Sequence, residues 1–138
     1  MQFKPDNSKV KYSQVILESL CEKILKLDPK IRSVGIIDDN GKLVIDKKKE
    51  KLEEFMNQKD LEILLMETAL GVRMRREHDA QLGPVNFTIS YGEYMVSMIF
   101  PFYRDMLYVS TEHGIDFSKI SFLILELLKQ KLLRINVV

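Results

Sequence analysis

The sequence predicts one α/β domain of the α+β kind: a five-stranded, mainly antiparallel sheet with three helices, in the order α-β-β-α-β-β-β-α. Two observations carry this. Three stretches repeat apolar residues at helical spacing, and five short runs between them are rich in β-branched and aromatic residues. The links between neighbouring runs are short, which makes hairpin pairing the simplest connection. Helices must then cover at least one face of the sheet.

The first helix is expected from about Ser8 or Tyr12 to Leu27. Ile16, Leu17, Leu20, Cys21, Ile24 and Leu27 share one face, with Glu18, Glu22 and Lys26 opposite. Asp28-Pro29 ends it, because a residue before proline is pushed out of the helical region. Ile31 to Asp38 and Leu43 to Ile45 read as a hairpin around Asp39-Asn40-Gly41, residues that tolerate positive φ.

The second helix is expected from about Lys59 to His78, with Asn57 or Gln58 near its start and Asp60 in the first turn. It carries two opposed apolar stripes. Leu61, Leu64, Leu65, Thr68 and Val72 form one; Ile63, Met66, Leu70 and Met74 form the other. Glu62 and Arg73 occupy one seam between them, Glu67 and His78 the other. A surface helix needs a single stripe, so two imply cover on both sides. The sheet supplies one cover; a second protein is the simplest source of the other, and the first or third helix of the same chain is the alternative.

Val85, Phe87, Ile89 and Tyr91 alternate with polar residues as a half-buried strand. Gly92-Glu93 fits a two-residue type II′ turn. Tyr94 to Phe100 reads as a central strand, Pro101 to Asp105 as a loop, and Met106 to Thr111 as the last strand. The third helix is expected from about Phe117 to Arg134, capped by Asp116 or Ser118. Its apolar face holds Phe117, Ile120, Ile124, Leu127, Leu128 and Leu132.

The chain has 138 residues, 46% hydrophobic and 30% charged, which suits one folded domain and excludes general disorder. Residues 1–9 are expected to be a flexible N-terminus and 10–138 a single domain. The run Lys47 to Lys51 reads as a connector. With 21 basic and 20 acidic residues the net charge is +1, which provides no global field for a polyanion. One cysteine excludes an internal disulfide and is compatible with a reducing compartment. The first ten residues lack a signal-peptide core, and no apolar run approaches the roughly 20 residues that span a bilayer. A cytoplasmic location is expected.

Little in the sequence points to catalysis. No GxxxxGK[ST], GxGxxG or GxSxG occurs, so neither a phosphate cradle nor a nucleophile elbow is expected. Glu77-His78-Asp79 and Glu112-His113 are isolated pairings, short of a zinc ligand set. Cys21 falls on an apolar helix face and reads as core. The expectation is a non-enzyme with no catalytic residue, cofactor or metal.

Two basic clusters remain, Lys47-Lys48-Lys49 with Lys51, and Arg73, Arg75 and Arg76. Acidic neighbours accompany both, so a solvated connector and a salt-bridged helix end are the simpler readings. The arginines are also candidate contacts for an acidic protein surface.

The element order, the stretch Val34 to Gly41 and the stretch Met106 to Ile120 resemble the roadblock (dynein light-chain) family, a relative of the longin and profilin-like folds. The resemblance spans about residues 10–135. It implies the long central helix on one face of the sheet and the terminal helices on the other. It also implies a non-catalytic module that forms homo- or heterodimers through central helices and edge strands, and regulates or scaffolds a Ras-like small GTPase. On it, the candidate interface is Leu61, Leu64, Leu65, Thr68 and Val72 with Phe87, Ile89 and Tyr91. Ile63, Met66, Leu70 and Met74 form the other candidate helix face. The expected partner is a second copy of the chain, and a small GTPase beyond it. The alternative is a PAS-like or longin-like sensor whose pocket is lined by Tyr91, Tyr94, Phe100, Phe102, Tyr103 and Tyr108. A nucleic-acid-associated domain using the basic clusters is a second alternative.

Overall fold

A computed structural model of the chain describes residues 14–49 and 56–136. The elements are α1 (Gln14–Leu25), β1 (Ile31–Ile37), β2 (Leu43–Lys48), α2 (Gln58–Arg75), α3 (Asp79–Leu82), β3 (Thr88–Tyr91), β4 (Val96–Phe102), β5 (Asp105–Thr111) and α4 (Phe117–Asn136). A 3₁₀ turn, Arg76–His78, joins α2 to the single-turn α3. The sheet order is β2-β1-β5-β4-β3 and every pairing is antiparallel. This is the predicted order, with the predicted helices on both faces. The expected loose N-terminus, the start of the first helix and Lys51 lie outside the described residues.

The two faces of the sheet bury unequal cores. Leu17, Leu20, Cys21 and Ile24 of α1, with Ile120, Ile124 and Leu128 of α4, close over Val34, Ile36, Met98, Phe100, Leu107 and Val109. On the opposite face Leu65 and Ala69 of α2 sit on Ile37, Ile99 and Met106, flanked by Leu61 and Val72. The parity of the strands assigns each residue to its core. Along β4, Met98 and Phe100 point to the larger core and Ile99 to the smaller one. Asp116 caps α4, its carboxylate accepting from the Lys119 amide at 3.1 Å. Asn57 caps α2 in the same way, accepting from the Asp60 amide at 2.8 Å.

The structure departs from the sequence reading at four places. First, β2 continues through Lys47 and Lys48, residues expected in a connector. Lys47 stands opposite Val34 and bridges Glu18 and Glu22 of α1 at 3.7 and 3.5 Å. An edge strand accepts such charges because only one side of its ladder is paired. Second, α2 ends at Arg75 rather than His78. The chain tightens and turns out at Gly83, held by Arg75 on the Asp79 carboxylate (3.0 Å) and the Gly83 carbonyl (3.2 Å). Third, β3 begins at Thr88 rather than Val85, and no two-residue turn forms at Gly92-Glu93. Tyr91 pairs with Val96 across a four-residue loop closed by the Gly92 amide on the Met95 carbonyl at 3.0 Å. Gly92 is not among the positive-φ glycines, so a type II′ turn is absent there.

The fourth departure lies between β4 and β5. The expected loop from Pro101 to Asp105 is a tight hairpin, with Phe102 opposite Asp105 and Tyr103 at φ 52°. Burial of Phe102 in the larger core carries the strand past the proline. Pairing of β3 with β4 stops at Thr88–Ile99, so Pro101 has no β3 residue opposite it.

The β1–β2 turn is built on Asp38. Its carboxylate accepts from the Asn40 and Lys42 amides, both at 2.9 Å. Gly41 then lies at φ 88° against the backbone of α2. A Cβ there would stand 2.5 Å from Met66 Cα. Both the conformation and the close approach demand glycine. Gly41→Ala should therefore destabilise the fold by about 2 kcal/mol or more, read as a lower urea midpoint.

At the same end of the sheet, Asp38, Asp39 and Asp105 face Arg104 and Arg76. Arg104 Nε lies 3.5 Å from Asp39 Oδ2, and Arg76 donates to the Tyr103 carbonyl. Burial, then the charges of Asp38 and Asp39, push the Asp105 carboxyl from 3.8 up to about 6. The native state thus holds this proton more tightly than the unfolded chain does. The stability from that preference is fully present below about pH 3.8 and is lost as pH rises through about 6. Asp105→Asn should raise stability at pH 7 by about 1 kcal/mol, discounted for partial solvent screening, and lessen the fall in stability across that window. Urea titrations of both proteins between pH 4 and 8 check this.

Candidate interaction surface

Helix α2 is seated by one stripe and leaves the other open. Leu65 and Ala69 are 2% and 1% exposed against the sheet, while Leu61, Leu64, Thr68 and Val72 are half-buried beside them. The Thr68 hydroxyl is satisfied locally, donating to the Leu64 carbonyl at 2.9 Å. The stripe expected to meet a partner is thus the one that meets the chain's own sheet. The opposite stripe lies in the open: Ile63 is 47% exposed, Met66 58%, Leu70 48% and Met74 59%. Among the described residues no other layer covers these four, and together they form a continuous apolar ridge along three turns.

The strand residues of the expected interface lie on the other side of the sheet. Ile89 stands opposite Met98 and Tyr91 opposite Val96, so both share the face covered by α1 and α4. Phe87 is half-buried there, its ring 5.5 Å from Phe100 and 5.4 Å from Phe122. Tyr91 packs edge-on against His113 (4.8 Å) and Phe117 (5.9 Å). The structure therefore separates these residues from the stripe on α2. What β3 offers is its outer edge: all four residues are exposed, and the strand ends the sheet. It carries no lysine or proline, whereas the β2 edge carries Asp46, Lys47 and Lys48.

The basic clusters are largely engaged at home. Lys47 bridges to α1, Lys48 lies 3.4 Å from Asp46, and Lys49 donates to the Asp28 carbonyl at 2.8 Å. Arg75 and Arg76 hold the segment after α2 as described above. Arg73 differs: it is exposed and makes no ion pair among the described residues.

The chemistry of the remaining candidates is modest. Cys21 is buried, and its thiol is pushed up to about 12 by that burial, so it carries essentially no thiolate at neutral pH. Among the described residues no group of three or more His, Cys, Asp and Glu side chains is arranged to hold a metal ion. The aromatic residues considered for a sensor pocket do not converge: Phe100 and Phe102 lie in the larger core, Tyr108 packs on the α2 side, and Tyr94 is 80% exposed. An open cavity of about 300 Å³ lies instead at the end of β3, lined by Tyr91, Gly92, Glu93 and His113. His113 Nε2 donates to the Gly92 carbonyl there at 2.7 Å. No helix among the described residues is long and apolar enough to cross a membrane.

Solved structures share this architecture. Myxococcus xanthus MglB superposes with a TM-score of 0.67 at 16% identity, covering 91% of this chain and 97% of that one. The gliding protein MglB from Thermus thermophilus gives 0.67 at 15% identity, with 88% and 93% covered. A Roadblock/LC7 domain from Streptomyces avermitilis gives 0.63 at 10% identity, with 82% and 92% covered. The fold is that of the roadblock domain. No curated protein matches the sequence. A family model described as a family of unknown function, DUF6659, matches residues 10–134, and the chain belongs to that family.

Proposed function

We propose that this chain is a non-catalytic, dimeric interaction module of the cytoplasm that regulates or scaffolds a Ras-like small GTPase. The observation that carries the reading is the uncovered ridge of Ile63, Met66, Leu70 and Met74 on α2. Such a ridge on a helix already seated by its other stripe is suited to a second macromolecule. The free edge of β3, with Ile89 and Tyr91 at its margin, extends the surface available to that partner. The roadblock fold, shared with MglB structures that include one described as having a tetrameric arrangement, supports assembly. The GTPase part follows from the family resemblance.

Light scattering tests the dimer. The wild-type chain should have the mass of a dimer, and Leu70→Glu should give a folded monomer. Leu65→Glu should instead unfold the protein or cost more than about 3 kcal/mol, because it places a charge between helix and sheet. A wild-type monomer over a wide concentration range would remove the homodimer. For the second part, the wild-type protein should retain a Ras-like GTPase of its own genome in a pull-down. Failure to bind any of them would count against that half of the proposal.

A further inference from the structure

Helix α4 runs along β3 without covering it. Phe87 and Tyr91 face the helix and meet Phe122 and Phe117, at ring distances of 5.4 and 5.9 Å. Ile89 lies between them and shares the strand face of Tyr91. Yet Phe122 is 60% exposed, Tyr91 66% and Ile89 39%. They leave an apolar strip between the last helix and the sheet edge, on the face away from α2. The strip ends at the cavity of about 300 Å³ lined by Tyr91, Gly92, Glu93 and His113. Apart from the Tyr91 hydroxyl, which can also donate, the open polar side-chain groups of that cavity are acceptors. His113 Nε2 donates to the Gly92 carbonyl at 2.7 Å, which leaves Nδ1 as an acceptor in the neutral ring. Glu93 is exposed and makes no ion pair among the described residues. Neither lysine nor arginine lines the cavity. Lys30, beside the same β5–α4 loop, is turned to the Gly114 carbonyl at 3.4 Å.

A carboxylate, a ring acceptor and an exposed tyrosine ring suit a cation that only donates. A guanidinium fits this set best, because it is planar, donates in pairs to a carboxylate and stacks on aromatic rings. An anion would meet Glu93 and find no lining cation to hold it. We infer that the α4 side of the β3 edge is a docking surface for a polypeptide segment that carries an arginine beside an apolar side chain. The guanidinium enters the cavity onto Glu93, and the apolar neighbour lies on Ile89, Tyr91 and Phe122. The strip selects a polypeptide over a free amine, since a small cation would fill the cavity and leave the adjoining apolar residues in water. The cavity supplies charge selection; the strip supplies buried area. This surface lies on the opposite side of the sheet from the α2 ridge, so it stands whether or not that ridge is occupied.

Amide NMR titration of the isotope-labelled full chain tests this, with N-acetyl-Phe-Arg-amide as the probe. The Gly92, Glu93 and His113 amides should shift and saturate. The citrulline analogue has the same shape without the charge and should bind about tenfold more weakly. Glu93→Gln should weaken the Phe-Arg probe about fivefold and leave the rest of the spectrum unchanged. Agmatine, a guanidinium without the apolar residue, should bind about fivefold more weakly than the probe, and Phe122→Ser should erase that difference. Each spectrum also reports whether the variant is folded. Leu70→Glu, which alters only the α2 ridge, should bind the probe as the wild type does. Shifts that never saturate, or a citrulline analogue that binds equally well, overturn the inference. Agmatine binding as tightly as the probe also overturns it, by making the cavity a small-cation site rather than part of a docking surface.

Discussion

The seating of Leu65 and Ala69 on Ile37, Ile99 and Met106 is the contact on which the outer surface depends. It is a narrow contact: a helix of 18 residues rests on the sheet with two fully buried side chains and a few half-buried neighbours. Because that stripe faces inward, the opposite stripe must face outward, and its apolar residues have no internal partner among the described residues. The Gly41 turn tightens the arrangement by bringing the β1–β2 hairpin against the helix backbone at Met66. Rotation of the helix to bury the other stripe would break that approach and lift Leu65 from the sheet.

The two faces of the sheet do different work. On the face under α1 and α4 a large core of aliphatic and aromatic residues supplies most of the apolar burial, and its polar intruders are satisfied in place. The buried Ser121 of α4 donates to the Met98 sulfur there at 3.5 Å. Lys47 ties α1 to the edge of β2 through two acidic partners. The α2 face buries less and exposes more. A surface whose stabilising core lies elsewhere can present apolar residues to a partner without the fold depending on that partner.

Much of the fold was legible because its signals are local. Helical periodicity, the Asp38 turn and the Asp116 cap depend on residues a few positions apart, and each lies where the sequence places it. Errors fell where a distant neighbour overrides a local preference. The lysines after Asp46 read as a connector, yet the ladder with Val34 and the acids of α1 make a strand of them. Pro101 reads as a break, yet burial of Phe102 and the short reach of β3 keep it in β4. Gly92-Glu93 fits a tight turn, yet the pairing of Tyr91 with Val96 places the loop two residues wider.

The interaction surface divides in the same way. That α2 has two apolar stripes, with Glu62 and Arg73 in the seam between them, follows from the sequence alone, since helical geometry fixes which residues share a face. Which stripe meets the sheet does not follow, because both are apolar and similar in size. Only the tertiary structure decided it, through the fit of Leu65 and Ala69 over three sheet residues and the glycine turn against Met66. The same holds for Phe87, Ile89 and Tyr91. Their alternation was readable along the chain, but their placement on the face opposite α2 comes from the register of β3 on β4, a pairing between strands that no local pattern specifies.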